Sequence, residues 1–178
     1  KEIGSPKLVN TTTPIFNFYK RDFTPKKHII GFIGEARANK GFNLIPKLIQ
    51  SLNQNKNNFE FLIQFSGTDN NTKKASEILF DLSKNQKNIK IVNKYCDYQE
   101  YRNILKDITI MPFMYDVEHM NNTNSGIIYS CISNEIIPII PTNCDYLKKI
   151  LVKDSFKEAI DFQEFSKNIT EIICNYEK

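Results

Sequence analysis

Arg37 and Lys40 are the two side chains whose type and position point most directly to chemistry. They lie in Glu35-Ala-Arg-Ala-Asn-Lys-Gly41, which follows the apolar run Gly31-Phe-Ile-Gly34 and precedes a helical pattern. Backbone N–H groups at such a strand-to-helix turn already favour an anion. An arginine can bind phosphate with two parallel hydrogen bonds, and a lysine adds a point charge. The pair therefore indicates a phosphate site, with solvated surface charge as the alternative.

Motifs for other chemistries are absent from the sequence. The glycines do not form G-x-G-x-x-G, and neither GxxxxGK[ST] nor HExxH occurs. Four cysteines show no CxxC spacing, and only two histidines could join them in a metal site. We therefore expect no metal and no cofactor. A reduced state is favoured for the cysteines, with two disulfides as the alternative; they are Cys96, Cys131, Cys144 and Cys174.

Composition indicates one folded domain. The chain has 178 residues, 40% of them hydrophobic and 25% charged, which excludes a disordered chain. A net charge of +4 is well short of the clustered positive charge of a nucleic-acid binder. No apolar run approaches the roughly 20 residues that span a bilayer. The N-terminal residues lack the apolar core of a signal peptide and an initiator Met, so we expect a fragment of a longer protein.

The elements that must position Arg37 and Lys40 alternate along the chain. Residues 1–27 read as an irregular leader with three prolines, and residues 28–178 as the domain. Apolar runs predict strands near 29–33, 59–65, 89–92, 108–112 and 136–140. Helical spacing follows each strand, over about 44–52, 72–84, 97–106, 125–134, 143–151 and 161–177. This alternation predicts an α/β fold, a Rossmann-like doubly wound parallel sheet with its ligand crevice beyond the carboxyl ends of the strands.

With its motifs in this order, the chain resembles the C-terminal donor-nucleotide domain of glycosyltransferases of the two-Rossmann-domain (GT-B) fold. The similar group is family 4, also called glycosyl transferases group 1. The resemblance covers about residues 28–175. It rests on Gly34 to Phe42, Phe59 to Gly67, Tyr98 to Phe113 and, most clearly, Ser125 to Pro141. The resemblance implies that this chain is one half of a GT-B enzyme.

The resemblance also assigns binding roles, although it assigns no catalytic residue. Arg37, Lys40, Gly34 and Gly126 match positions that contact the donor diphosphate. The sugar and ribose would lie near Thr123, Asn124, Ser125 and Cys131. Members of the group need no bound metal.

This sequence departs from the family at two positions. The family has two glutamates separated by seven intervening residues, and Thr123 and Cys131 stand in their places here. Cys131 could donate a weak hydrogen bond to the donor, or it could be a core residue of a helix. Two further interpretations stay open. Tyr95, Tyr98 and Tyr101 could form a base-stacking surface, with Tyr98 and Tyr101 as packing residues in the alternative, and His119 could contact ligand or solvent.

The function that the resemblance implies is transfer of a hexose from a nucleotide diphosphate sugar, with retention of configuration. The acceptor would be a glycan or lipid-linked molecule in bacterial surface polysaccharide synthesis. An N-terminal domain outside this chain would bind it, so the fragment alone is expected to be inactive. The implied location is cytoplasmic, with peripheral association of the full-length protein at the inner face of the membrane. Two alternatives remain: a degenerate non-catalytic GT-B-like module, and an unrelated Rossmann-like nucleotide-binding domain.

Overall fold

The computed structural model describes residues 27–53, 59–120 and 125–175. Its strands are β1 His28–Glu35, β2 Phe59–Ser66, β3 Ile89–Asn93, β4 Ile110–Pro112, β5 Ile137–Pro141 and β6 Lys157–Ala159. Its α-helices are α1 Ile45–Asn53, α2 Lys73–Asn85, α3 Tyr98–Asp107, α4 Val117–Met120, α5 Gly126–Ser133, α6 Asp145–Ile150 and α7 Phe162–Asn175. Two short 3₁₀ helices, Ala38–Lys40 and Phe42–Leu44, connect β1 to α1.

The six strands form one parallel sheet in the order β3-β2-β1-β4-β5-β6. The longest pairing joins β1 to β2, from His28 opposite Phe59 to Glu35 opposite Ser66. The strand order reverses between β1 and β4, and ligands of such sheets bind beyond the carboxyl ends of the strands at that point. The predicted doubly wound parallel sheet is confirmed.

Apolar side chains fill both faces of the sheet, which explains why the strands read as nearly continuous apolar runs. Phe61, Ile63 and Phe65 of β2 point to one face, where they pack with α1, α2 and α7. Leu62 points to the opposite face and packs with α3, α5 and α6. Each helix therefore buries one apolar stripe, and the sheet lies between two helical layers.

Local sequence chemistry determines where two of the helices begin. The Asp97 carboxylate accepts the Glu100 N–H, and Glu100 in turn accepts the Asp97 N–H, as the predicted capping box requires. Pro46 lies in the first turn of α1. The N–H groups of a first turn have no acceptor within the helix, so a proline there costs no hydrogen bond.

The structure differs from the sequence prediction at β4 and β6, the two strands on either side of β5. β4 is shorter than predicted, although Thr109 still pairs with Ile29 through backbone and side-chain hydrogen bonds of 2.9–3.1 Å. β6 was not predicted, because Lys157 and Glu158 are exposed and polar and leave no apolar run. The predicted leader lies almost wholly outside the described residues, and the division at residue 27 stays a prediction.

Two further observations bear on the sequence-based expectations. None of the four cysteines forms a disulfide. Within residues 27–53, 59–120 and 125–175, every helix is too short or too polar to cross a lipid bilayer.

Replacing Gly41 with Ala is expected to destabilise the domain strongly. Gly41 has φ +77°, and an added Cβ would lie 2.1 Å from the Met114 carbonyl oxygen. The strained backbone and this overlap together should reduce the free energy of unfolding by at least about 2 kcal/mol. Gly67→Ala is the matched control, because Gly67 has φ +68° but open space around it. Its cost should be about 1 kcal/mol. Equal losses in urea denaturation of the two variants would contradict the proposed overlap with Met114.

Candidate functional site

Two adjoining cavities lie beyond the carboxyl ends of β1, β2 and β4. The first, which we call the lysine cavity, is small, about 40 Å³, and is lined by Lys40 and Tyr115 among others. The second, the tyrosine cavity, is an open space of about 390 Å³. It is lined by Tyr95, Tyr98 and Tyr101. Five residues line both cavities, namely Ile33, Gly34, Glu35, Gln64 and Ile127. Together the cavities form one crevice at the point where the strand order reverses.

Gln64 determines the geometry of the crevice floor. Its Oε1 accepts the Gly34 N–H at 3.2 Å, and its Nε2 donates to the Lys94 carbonyl oxygen at 2.8 Å. The side chain is 5% exposed, and both bonds are partly sheltered from water. Gln64 therefore fixes the end of β1, where Gly34 has φ +123°, relative to the segment after β3.

Lys40 lines the lysine cavity beside Gly34 and Ile127. Partial burial lowers the pKa of its amino group, the positive charge of Arg37 lowers the pKa further, and Glu35 opposes both effects. Partial burial removes some of the water that would otherwise stabilise the positive charge of Lys40. An anion bound in the cavity would stabilise that charge instead and would raise the pKa of Lys40.

Arg37 pairs with Glu35 through Nη2 and Oε2, and both side chains are about half exposed. Arg37 is not among the residues that line either cavity. The structure thus brings Lys40, Gly34 and the first turn of α5 together, while Arg37 lies beside them in an ion pair. The predicted diphosphate site at Arg37, Lys40, Gly34 and Gly126 stays a prediction.

The first turn of α5 borders the crevice. An added Cβ on Gly126 would meet no atom within 4 Å, so the space beside this helix start is open. Ser125, the N-cap, is buried, and its hydroxyl lies 3.4 Å from that of Tyr115. Burial raises the pKa of Tyr115 to about 12, which keeps its phenol protonated near neutral pH.

Three of the loop residues singled out in the sequence give no structural outcome. Thr123 and Asn124 lie outside the described residues, as does the side chain of His119. The proximity of Thr123 and Asn124 to the sugar stays a prediction, and the contact of His119 with ligand or solvent stays open.

Cys131 belongs to the core, in agreement with the second of the two interpretations left open. Its side chain is fully buried, and its Sγ lies 3.5 Å from the Sδ of Met111. Burial also raises the pKa of its thiol well above the ordinary value. The predicted contact with sugar or ribose is therefore corrected: the Cys131 side chain points from α5 toward Met111 of β4 and does not line the crevice.

The three tyrosines divide between the two interpretations given to them. Tyr101 is a packing residue, since it is mostly buried and its hydroxyl donates to Ser130 Oγ at 3.1 Å. Tyr98 is 65% exposed and Tyr95 is 85% exposed, so the packing interpretation of Tyr98 is wrong. Both line the tyrosine cavity, where exposed aromatic rings offer surface for stacking. Base stacking itself stays a prediction.

Sequence reasoning missed Glu35 and Gln64 as site residues. Gln64 carried a signal, because it is an amide in the otherwise apolar end of a strand. Glu35 carried a weaker one, as the acidic first residue of a cationic turn. As for metals, no group of three or more His, Cys, Asp or Glu side chains in the described parts of the chain could hold an ion.

Comparisons with known proteins relate this fold to one kind of domain. No family model matches the chain, and no curated protein matches its sequence. Among solved structures, it is similar to the C-terminal domain of a glycosyl transferase group 1 family protein (LpcC) from Francisella tularensis. The TM-score is 0.71 at 14% identity, over 93% of this chain and 90% of that one.

Two longer proteins give similar results. TarM aligns with a TM-score of 0.67 at 14% identity, over 93% of this chain and 31% of TarM. The catalytic domain of starch synthase IV from Arabidopsis thaliana, bound to ADP and acarbose, aligns with a TM-score of 0.66 at 14% identity. That alignment covers 89% of this chain and 33% of the synthase domain. The chain thus spans about a third of the length of these two proteins.

The fold defined by these likenesses is that of a GT-B glycosyltransferase C-terminal domain. The resemblance predicted from the sequence is confirmed in this respect. At 14% identity the likeness establishes the fold alone.

Replacing Gln64 with Leu is expected to loosen the crevice floor. The change leaves the Gly34 N–H and the Lys94 carbonyl without their partner, at a cost of about 1–3 kcal/mol in unfolding free energy. Amide hydrogen exchange at Gly34 should accelerate as well. Gln99→Leu is the control, because Gln99 is exposed and its side chain donates to Asn103 on its own helix. If Gly34 exchanges equally slowly in Gln64→Leu and the wild type, the bridge does not fix the end of β1.

Proposed function

We propose that this chain is the donor-binding domain of a glycosyltransferase that uses a nucleotide diphosphate sugar. The observation that carries the proposal is a crevice with a partly desolvated cation at one end and exposed aromatic rings at the other. It lies at the carboxyl ends of a parallel sheet with a GT-B C-terminal fold. A nucleoside diphosphate matches this arrangement, because its negative charge would lie at the cation and its flat base would lie against the aromatic rings.

The proposed chemistry follows from the charge that develops on the leaving group. Breaking the sugar–phosphate bond leaves negative charge on the diphosphate, and a fixed cation stabilises that charge without a metal. Lys40, with the backbone N–H groups at the start of α5, would serve this role. Arg37 would join Lys40 once an anionic ligand competes with Glu35, because an exposed ion pair is worth only about 0–1 kcal/mol.

The finer parts of the proposal follow the sequence resemblance. The enzyme would transfer a hexose with retention of configuration to a glycan or lipid-linked acceptor. Bacterial surface polysaccharide synthesis, in the cytoplasm or at the inner face of the membrane, is the proposed setting. The bound ADP in the starch synthase IV structure supports a nucleotide diphosphate as the ligand class.

Lys40→Ala should weaken nucleoside diphosphate binding by on the order of 1–3 kcal/mol, as for a lost charged hydrogen bond. Arg37→Ala should weaken it by a comparable or smaller amount, because Arg37 must first leave Glu35. NMR titration of the folded chain with UDP, GDP and ADP measures both effects. Lys87→Ala is the control, since Lys87 is exposed in the turn before β3. Unchanged affinity in Lys40→Ala would remove the lysine cavity from the proposed diphosphate site.

A degenerate, non-catalytic module is the second candidate. The burial of Cys131 favours it, because the position of a family carboxylate holds a core side chain that cannot contact a donor. The same titration separates the two candidates. Failure of the wild-type chain and of the full-length protein to bind any nucleotide or nucleotide sugar would favour the degenerate module.

The isolated chain should bind donor but should not transfer sugar. Both faces of its sheet are covered, so the domain is expected to fold alone. Transfer additionally requires an acceptor held in line with the anomeric carbon and exclusion of water, which a second domain would provide. Product detection with UDP, GDP and ADP sugars and candidate acceptors checks this. Sustained turnover by this chain would contradict the proposal that a second domain is needed to hold the acceptor.

A further inference from the structure

Five residues line both the lysine cavity and the tyrosine cavity, and they mark the junction between the two. A nucleoside diphosphate that directs its phosphates to Lys40 and its base to Tyr95 and Tyr98 must cross this junction with its ribose. The side chains at the junction therefore face the sugar hydroxyls of the nucleoside. This step rests on the proposed function.

Only two of the five junction residues have polar side chains, Glu35 and Gln64. Gln64 is 5% exposed, and its amide group already bonds Gly34 and Lys94. Ile33 and Ile127 are apolar, and Gly34 has no side chain. Glu35 is thus the junction side chain that remains to recognise a polar ligand group.

The Glu35 side chain is suited to this contact. It is about half exposed, and its ion pair with Arg37 engages Oε2. A carboxylate accepts hydrogen bonds on both oxygens, so this pairing leaves acceptor capacity for hydroxyl groups. Acidic side chains recognise ribose hydroxyls in this way in other nucleotide-binding sheets. When Arg37 turns from Glu35 to the diphosphate, as proposed above, its positive charge limits the repulsion between these two anionic groups.

We propose that Glu35 binds the ribose hydroxyls of the donor nucleotide and makes the crevice selective for ribonucleotides over 2′-deoxyribonucleotides. The carboxylate accepts hydrogen bonds from the sugar at the boundary between the two cavities. A 2′-deoxyribose offers one hydroxyl fewer and binds more weakly.

The test compares UDP, GDP and ADP with dUDP, dGDP and dADP by NMR titration of the whole chain. For the nucleotide that binds, the wild type should prefer the ribose form by about tenfold, the value of a charge-assisted hydrogen bond. Glu35→Gln should lose most of this preference by weakening the ribose form alone. Glu60→Gln is the matched control, because Glu60 pairs with Lys27 near the opposite, amino end of the sheet. It should keep the full preference.

Each other outcome overturns the inference in a recognisable way. Tighter binding of both sugar forms to Glu35→Gln would mean that Glu35 only opposes the anion and neutralises Arg37. An undiminished ribose preference in Glu35→Gln would place ribose recognition on another residue, and the proposed function would stand. Absence of nucleotide binding by the wild-type and full-length proteins would overturn both the proposed function and this inference. Thermal unfolding of each variant verifies that it is folded.

Discussion

The two hydrogen bonds of the Gln64 side chain hold together the strand ends on which the crevice depends. One bond fixes Gly34 at the end of β1, and the other fixes Lys94 just after β3. Gly34 is still paired with Phe65 in the ladder between β1 and β2, whereas Lys94 lies just beyond β3. The buried amide of Gln64, in the strand between them, therefore joins the end of β1 to the segment after β3. The position from which the chain continues toward Lys40 thus depends in part on this side chain.

The fold was predictable from sequence because its determinants are local and repetitive. The apolar runs of β1 and β2 and the capping box at Asp97 each depend on a few neighbouring residues. β6 was not predictable, since three residues with two exposed side chains carry no periodic pattern. The direction in which each helix residue points was also harder to predict. The spacing of apolar residues placed Cys131 on α5 but did not decide whether its side chain faces the core or the crevice. Packing against Met111 decides it, and that contact joins residues far apart in sequence.

The candidate site was predictable in location but not in its charge balance. The cationic turn and its place after β1 followed from spacing, and the structure brings Lys40 to the crevice. The pairing of Arg37 with Glu35 did not follow, because two residues of the same turn can face the same side or opposite sides. The turn thus carries one positive charge net among three charged groups. Its electrostatic field is therefore weaker than a count of its two cations indicates.

The short sixth strand has a consequence for the behaviour of the chain in solution. An unpaired sheet edge exposes N–H and C=O groups that can recruit a strand from another molecule, and long apolar edges are aggregation hazards. β6 is three residues long, and its exposed Lys157 and Glu158 carry charge at this edge. A strand added at β6 would gain only a few hydrogen bonds and would bring its side chains close to the charges of Lys157 and Glu158. The edge next to β5 is thereby blunted, which protects a domain rich in apolar strands from growing into intermolecular sheets.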